Sequence, residues 1–166
     1  MNIMIVDDET GILEMLGETL YMNGYSCVLY NSPIDALNSY NIFPGDVVVV
    51  DLKMPEMNGI TLLKEIRTCN PNARVIILTG YPELDNAIDA VNLGAYAYLT
   101  KPLDTKHLIS LLDTVQGELL EEQKQKDEVQ QMRKAFLHLY KDNELLQNTL
   151  DNAASSAPGD MNDEVM

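Results

Sequence analysis

Charged side chains that could support phosphoryl chemistry follow apolar segments at three separate places in this sequence. Asp7 and Asp8 follow a short apolar run near the start, and Asp51 ends a second run. Lys101 comes directly after a third run. If these runs are parallel strands of an open α/β sheet, their carboxyl ends share one edge, where such folds bind ligands. Three carboxylates and a lysine would then meet in a pocket that can hold a divalent cation and receive a phosphoryl group.

The elements that position these residues are predicted from the alternation of apolar runs and helical patterns up to about Gln116. Strands are predicted at residues 3–6, 25–29, 47–50, 75–78 and 96–99. Between them lie helical patterns with typical boundary residues, such as Pro33 at a start and Gly24 at an end. This alternation predicts a doubly wound α/β fold, a five-stranded parallel sheet with helices on both faces.

One of these helical patterns matters for the fold in particular. It begins after Pro82, and its apolar positions are Leu84, Ala87, Ile88 and Val91. Their spacing of three and four residues is typical of one face of an amphipathic helix. We therefore expect a helix at this place, between the fourth and the fifth strand.

Composition and charge exclude several classes of protein. The chain has 11 basic and 26 acidic residues, a net charge of −15, and the acidic excess extends to both sides of Gln116. It therefore lacks the basic surface of a nucleic-acid-binding protein and the polybasic segment of a lipid-binding one. No run approaches the roughly 18 apolar residues of a membrane helix. Cys27 and Cys69 are isolated, as in proteins of a reducing compartment. We expect a cytoplasmic protein that contacts neither nucleic acid nor membrane directly.

Four motifs occur in a characteristic order along the first part of the chain. They are Asp7-Asp8-Glu9, the stretch from Asp51 to Gly59, Leu78-Thr79-Gly80-Tyr81-Pro82, and the stretch from Gly94 to Pro102. Together they closely resemble the receiver domains of two-component response regulators, most of all those of the nitrogen-regulation type. The resemblance covers residues 1–116. It implies a flavodoxin-like receiver fold and a sensor histidine kinase or phosphotransfer protein as phosphoryl donor.

The resemblance also implies the roles of the acidic residues. Asp51 would be the phosphoacceptor, and Asp7, Asp8 and Asp51 would arrange Mg²⁺ together with the main-chain carbonyl of Lys53. Mg²⁺ prefers oxygen ligands and usually binds through one or two carboxylates plus water and phosphate oxygens. Lys53 and Tyr81 flank the predicted site and would tune the lifetime of the phosphoryl group. The chemistry of these residue types agrees with the implied roles.

The same resemblance implies roles for residues that follow the fourth and fifth strands. Thr79 would supply a hydroxyl and Lys101 a positive charge to the phosphoryl oxygens. Tyr98 would be the switch aromatic, which moves inward when the Thr79 hydroxyl moves toward the phosphoryl group. A cis peptide bond before Pro102 would direct the lysine toward the site. These residues would thus couple phosphorylation to a change in the conformation of the protein surface.

Beyond Gly117 the sequence predicts a helical, coiled-coil extension over residues 117–150. Its seam alternates by four and three residues: Val129, Met132, Phe136, Leu139, Asn143, Leu146 and Leu150. The favoured interpretation is a homodimer paired through this helix. Two others remain open, a helix that folds back on its own domain and a linker to a further domain. Residues 151–166 have no periodicity and are predicted to form a disordered tail.

The sequence thus favours a response regulator that accepts a phosphoryl group from a histidine kinase on Asp51 and signals to an unknown output protein. One alternative is a phosphate-independent helical adaptor, a pseudo-receiver, and the complete acidic set argues against it. A phosphorelay intermediate is another, and the sequence does not separate it from a terminal switch. A second catalytic constellation is not found, so turnover of a separate substrate is not expected.

Overall fold

The computed structural model describes residues 1–155, apart from the side chains of residues 142, 145, 150, 151 and 153–155. The elements follow one another as β1 (Asn2–Val6), α1 (Thr10–Met22), β2 (Ser26–Tyr30), α2 (Pro33–Ile42), β3 (Val47–Asp51), α3 (Gly59–Cys69), β4 (Arg74–Thr79), α4 (Leu84–Asn92), β5 (Ala97–Thr100) and α5 (Thr105–Ser155). Each predicted strand overlaps an observed one, and the predicted α/β fold is confirmed.

The five strands form one parallel sheet in the order β2-β1-β3-β4-β5. Because β1 lies beside β3, the residues that follow Val6 come close to the end of β3. The register pairs Asp51 with Leu78 and Thr79 with Thr100, so the ends of β3, β4 and β5 are level with one another. This order places the chemically important residues of distant sequence segments along one short edge.

Side chains on the two faces of the sheet are buried under different helices. One face packs against α2, α3 and α4 in a single apolar cluster. The other face, by the alternation of side chains along a strand, packs under α1 and the first turns of α5. Its buried helical residues are Leu13, Leu16 and Leu20 of α1 and Leu108, Leu112 and Val115 of α5. Each such side chain stabilises the fold by about 1.5–3 kcal/mol when fully buried.

Helix α4 was predicted correctly as a helix, but its large apolar residues are not turned into the core. Among its described residues only Ala90 is buried, whereas Leu84, Ile88 and Val91 are exposed. The carbonyl of Ala90 accepts a hydrogen bond of 2.8 Å from the amide of Ala95, just before β5. The small side chain of Ala90 therefore lies where α4 contacts the rest of the domain, and the larger apolar residues of α4 face outward.

Tyr25 connects the start of β2 to α5. It is a buried residue, and its hydroxyl donates a hydrogen bond to Asp113 Oδ1. Burial, together with the hydrogen bond and the negative charge of Asp113, raises the pKa of Tyr25 to about 12. The folded state therefore binds the phenolic proton more tightly than the unfolded chain, in which tyrosine titrates at a pKa near 10.

This difference predicts a loss of stability at high pH. The contribution of Tyr25 is complete below about pH 10 and is lost as the pH rises through the folded pKa near 12. Over that range we expect the free energy of unfolding of the native protein to fall by about 1–2 kcal/mol more than that of Tyr25→Phe. Urea denaturation at a series of pH values measures both. Parallel curves for the two proteins would show that Tyr25 does not contribute.

The chain divides into two compact units, the first of which is Met1–Gln116. The second begins at Gly117, and its described residues are helical as far as Ser155. Helix therefore continues past residue 151, where the disordered tail was predicted to begin. Residues 156–166, the rest of that predicted tail, lie outside the described residues. No helix in the described part of the chain is both long and apolar enough to span a membrane.

Candidate functional site

Asp7 lies directly after β1 and is almost completely buried. Its amide donates to the carbonyl of Tyr30, which holds it in line with the neighbouring strand. Its carboxylate accepts two hydrogen bonds, from the amide of Glu9 at 2.9 Å and from Lys101 Nζ at 2.8 Å. A buried carboxylate needs such partners, because desolvation of an unpaired charge is very unfavourable.

Asp51 is the last residue of β3 and is also buried. Its Oδ2 accepts a hydrogen bond of 2.7 Å from the amide of Lys53, so the chain that leaves the strand curls back onto the carboxylate. Its Oδ1 lies 2.6 Å from Lys101 Nζ. The side chain is thus held in one orientation at the end of the strand by a main-chain donor and a charged donor.

Lys101, which follows strand β5, contacts the carboxylates of both Asp7 and Asp51. Its amide donates a 2.7 Å hydrogen bond to the carbonyl of Thr79, and the Lys101-Pro102 peptide bond is cis, as predicted. The ammonium lies between Asp7 and Asp51. Hydrogen bonds that involve ionised groups are roughly twice as strong as neutral ones, so this bridge links the two carboxylates firmly.

Burial and pairing shift the proton affinities of these groups in opposing ways. Burial raises the pKa of Asp7, although its hydrogen bond with Lys101 works in the other direction. Burial by itself would lower the pKa of Lys101, but the hydrogen bonds to Asp51 and Asp7 outweigh it, and the pKa is raised. The lysine is therefore firmly protonated, and it provides the positive charge on which the two carboxylates converge.

Of the three predicted metal-binding carboxylates, the structure brings Asp7 and Asp51 together on one ammonium, whereas Asp8 is exposed beside them. Among the side chains that the structure describes, no three acidic, histidine or cysteine residues are grouped closely enough to enclose a metal ion. The donors nevertheless fit Mg²⁺, which is typically held by one or two carboxylates and completes its shell with water. The 2.7 Å contact from the amide of Lys53 places that part of the backbone at the site as well.

Two further predicted site residues are Thr79, the last residue of β4, and Tyr98, in β5. Thr79 is buried at the end of β4, and its Oγ1 accepts a 3.0 Å hydrogen bond from the amide of Tyr81. Tyr98 is half-buried and packs against the apolar cluster, and its hydroxyl is a buried polar atom without a hydrogen-bond partner among the described residues. A buried hydroxyl in this state costs free energy. In its half-buried position Tyr98 therefore leaves its hydroxyl without a hydrogen bond to any residue that the structure describes, which is unfavourable for that position.

The loop between β3 and α3 has two features that the residue pattern does not predict. Glu56 has a φ of 69°, a conformation that non-glycine residues rarely adopt. Gly59 begins α3 and donates a 2.9 Å hydrogen bond to the carbonyl of Leu52, and a Cβ placed on it would overlap the carbonyl oxygen of Asp51. Nothing in the sequence pattern around Gly59 indicates this close approach. The close approach depends on how α3 packs onto the strand end.

Lys53, Tyr81 and Glu83 form a small surface group beside the site. The Lys53 ammonium lies 3.4 Å from Glu83 Oε1 and 4.4 Å from the centre of the Tyr81 ring. These exposed contacts are individually weak, on the order of 0.5–1 kcal/mol each. They connect the loop after β3 to the loop after β4. Lys53 and Tyr81 were expected to flank the site, whereas no sequence signal pointed to Glu83.

The fold and the site together define a doubly wound α/β domain with an acidic pocket at the carboxyl edge of its sheet. The chain belongs to the response regulator receiver domain family, whose model matches residues 3–113. The expected family is thereby confirmed.

The chain is similar to known proteins of the same family. It is 36% identical over 119 residues to the DNA-binding transcriptional regulator NtrC of Klebsiella pneumoniae, a match that spans 72% of this chain and 25% of that protein. It is 38% identical over 112 residues to the transcriptional regulatory protein GlrR of Escherichia coli, a match that spans 68% of this chain and 25% of that protein. The chain thus spans about a quarter of the length of such curated relatives.

Solved structures show the same fold. A response regulator receiver domain protein from Clostridium thermocellum superposes with a TM-score of 0.66 at 36% identity, covering 72% of this chain and 97% of that one. A response regulator from Burkholderia pseudomallei superposes with a TM-score of 0.63 at 28% identity, covering 74% of this chain and 72% of that one. That structure was described with a phosphorylated aspartic acid, a calcium ion and citrate.

Proposed function

We propose that Asp51 accepts a phosphoryl group from a histidine kinase or a phosphotransfer protein and that the chain works as a phosphorylation-dependent switch. The observation that carries this proposal is the position of Asp51, whose carboxylate is held at a strand end by the amide of Lys53 and by Lys101. Asp7 shares the same ammonium, which concentrates charge at the place where a phosphoryl group would be received. The comparisons favour this proposal over a phosphate-independent adaptor.

In the proposed transfer, a carboxylate oxygen of Asp51 attacks the phosphorus of a phosphohistidine. A P–O bond forms to Asp51, the P–N bond breaks, and its electron pair returns to the imidazole. Lys101 is near enough to Asp51 Oδ1 to neutralise charge on the phosphoryl oxygens. Such transfer depends mainly on positioning and charge neutralisation. Asp7, Asp8, Asp51 and the Lys53 carbonyl would hold Mg²⁺, which supplies further positive charge when bound. We propose no turnover of a separate substrate.

The signal would leave the site through Thr79 and Tyr98. The Thr79 hydroxyl, which now accepts from the amide of Tyr81, would turn to donate to a phosphoryl oxygen. Movement of that residue would release or fix Tyr98, whose hydroxyl lacks a partner in its present position. A complete shift from 1:99 to 99:1 between two states requires about 5.5 kcal/mol. An output protein that binds the surface near β5 would then bind the two states with different affinity.

The proposal is tested by phosphorylation with a small-molecule donor. The full chain is incubated with acetyl phosphate, with Mg²⁺ or with EDTA, and its mass is measured. We expect the mass of one phosphoryl group to appear only with Mg²⁺, to be lost in acid, and to map to the peptide that contains Asp51. Stable labelling elsewhere, or equal labelling in EDTA, would contradict the assignment.

The cytoplasm is the proposed location, and the two unpaired cysteines are compatible with it.

We also propose that the unit that begins at Gly117 forms a homodimer through a coiled coil. Five seam residues, Val129, Met132, Phe136, Leu139 and Leu146, are each between 62% and 74% exposed. They are spaced by heptads, and Asn143 is a seam position that would restrict register. The side chain of Leu150, the last predicted seam residue, lies outside the described residues. Pairing would remove this apolar stripe from water.

The seam predicts the effect of one substitution on assembly. Phe136→Glu would place two carboxylates in the core of the coiled coil, and we expect the dimer to dissociate at least about a hundredfold more readily. Leu137→Glu is the matched control, because Leu137 is also exposed and apolar but lies outside the seam. Sedimentation equilibrium of the full chains measures both. Equal masses for the two variants would show that the seam does not pair.

A further inference from the structure

The free edge of the sheet at β2 lacks the features that usually protect an edge strand. Within the described part of the chain, β2 has a neighbour, β1, on one side only, and its residues pair with β1 in unbroken register. The sequence from Gly24 to Ile34 contains no charged residue, and the strand contains no proline. Val28 is 57% and Leu29 is 39% exposed. Natural edges usually carry charge, proline or a bulge, because an unprotected edge is a template for pairing with another strand.

The direction of the unpaired main-chain groups follows from the contact between β2 and β1. The carbonyl of Tyr30 accepts the amide of Asp7, so it points toward β1. Because main-chain groups alternate sides along a strand, Val28 also points its amide and carbonyl toward β1. Cys27 and Leu29 therefore present their amides and carbonyls to the free side. These four groups are arranged symmetrically about Val28.

Apolar depressions lie on both faces of the sheet beside this edge. One, of about 360 Å³, is lined in part by Val28, Cys27 and Phe43, on the side of α2. The other, also about 360 Å³, is lined in part by Tyr21, Cys27 and Leu29, on the side of α1. Tyr21 is 80% and Phe43 is 77% exposed. A strand added at the edge would direct alternate side chains toward these two depressions.

We propose that β2 pairs in antiparallel orientation with β2 of a second copy of this chain, about a two-fold axis through Val28. Cys27 would then lie opposite Leu29 of the second copy, and the two reciprocal pairs would make four main-chain hydrogen bonds. The Val28 side chains would meet on the axis as a non-hydrogen-bonded pair, the type whose side chains approach most closely.

A second copy is the occupant that these observations favour. The arrangement of the free amides and carbonyls is symmetric about one residue, as a two-fold interface requires. The chain carries a net charge of −15, so most surfaces of two copies repel each other, but this strand can meet itself without any apposed charge. Tyr21 and Phe43 would add apolar area on either side of the paired strands. This interface depends neither on Asp51 nor on the seam from Val129 to Leu146.

Disulfide formation across the proposed axis tests the register directly. In the full chain with Cys27→Ser and Cys69→Ser, Val28→Cys would place two thiols on the axis, where Cα atoms of a non-hydrogen-bonded pair are about 4.5 Å apart, within disulfide range. Leu29→Cys is the matched control, because its partner on the second copy is residue 27. Under mild oxidation we expect the covalent dimer of Val28→Cys to form at least tenfold faster. Equal rates would overturn the proposal, and pairing of the seam would raise both rates alike.

A second measurement tests the interface without oxidation. In the full chain with Phe136→Glu, which removes the seam, Val28→Lys would place like charges directly opposite each other and oppose pairing. We expect the remaining self-association, measured by sedimentation equilibrium, to weaken at least tenfold. Val91→Lys is the control, since Val91 is also an exposed valine, on α4, with 69% of its surface exposed against 57% for Val28. Association that is unchanged by Val28→Lys, or absent before the substitution at high protein concentration, would show that β2 does not pair in this way.

Discussion

Asp51→Asn is expected to abolish uptake of the acid-labile phosphoryl group while leaving the fold intact. The asparagine side chain has nearly the same shape, and its oxygen can still accept from the amide of Lys53. It has no anionic oxygen with which to attack phosphorus, however, and an amide does not form a stable acyl phosphate. Lys101 keeps its 2.8 Å contact with Asp7, so the ammonium is not left without a charged partner. Labelling by acetyl phosphate with Mg²⁺, measured by mass, should fall below detection.

Asp46→Asn is the matched control for this experiment. Asp46 precedes the same strand at its opposite end, where its carboxylate accepts the amide of Asn2 at 2.6 Å. The substitution removes one negative charge, as Asp51→Asn does, but far from the site along β3. We expect its labelling to equal that of the native chain. Labelling that survives in Asp51→Asn would mean that another residue is the acceptor.

Gly59→Ala is expected to produce the largest loss of stability among single-methyl additions at the described glycines near the site. The added Cβ would overlap the carbonyl oxygen of Asp51 and would lie 3.1 Å from the Cα of Leu52. Both atoms belong to the main chain and cannot rotate away, so α3 or the end of β3 must shift. Such overpacking typically costs about 1–3 kcal/mol, and a rigid main-chain neighbour favours the upper part of that range. Urea denaturation of the full chain measures the change.

The same substitution should also impair phosphorylation, because the residue that is displaced is Asp51 itself. Gly11→Ala is the control, since a Cβ on Gly11 would meet no atom within 4 Å and Gly11 lies within α1. Alanine favours helix over glycine, so we expect this control to gain about 0.5–1 kcal/mol. If Gly59→Ala is as stable as the native chain, the close approach of α3 to the strand end is looser than the structure shows.

Much of the site could be predicted because its residues are attached to strand ends. The apolar runs before Asp7, Asp51 and Lys101 predict strands, and parallel strands place their carboxyl ends at one edge. The structure brings these three residues into direct contact, as expected. The exposed position of Asp8 and the role of Glu83 beside Lys53 were not predictable. They depend on the path of loops, and loop paths follow from contacts between segments that are distant in sequence.

Apolar periodicity predicted whether a segment is a helix or a strand, but it did not predict which other element would cover its apolar face. Leu84, Ile88 and Val91 predict a helix, and α4 is a helix, yet these side chains are exposed. Likewise the run that includes Val28 and Leu29 predicts a strand, and β2 is a strand, yet it forms an edge of the sheet. A periodic pattern shows which residues share a face. Whether another element covers that face is decided by the order of strands and the packing of helices.

The sequence by itself determined the alternation of strands and helices, the family, and the residue types that could hold a metal ion and receive a phosphoryl group. These properties depend on local backbone preference and on side-chain chemistry, both of which are written along the chain. The tertiary structure alone decided that Lys101 bridges Asp7 and Asp51, that α3 approaches Asp51 so closely at Gly59, and that β2 is left with a free edge. Each of these follows from contacts between distant segments, whose geometry exists only once the sheet has assembled.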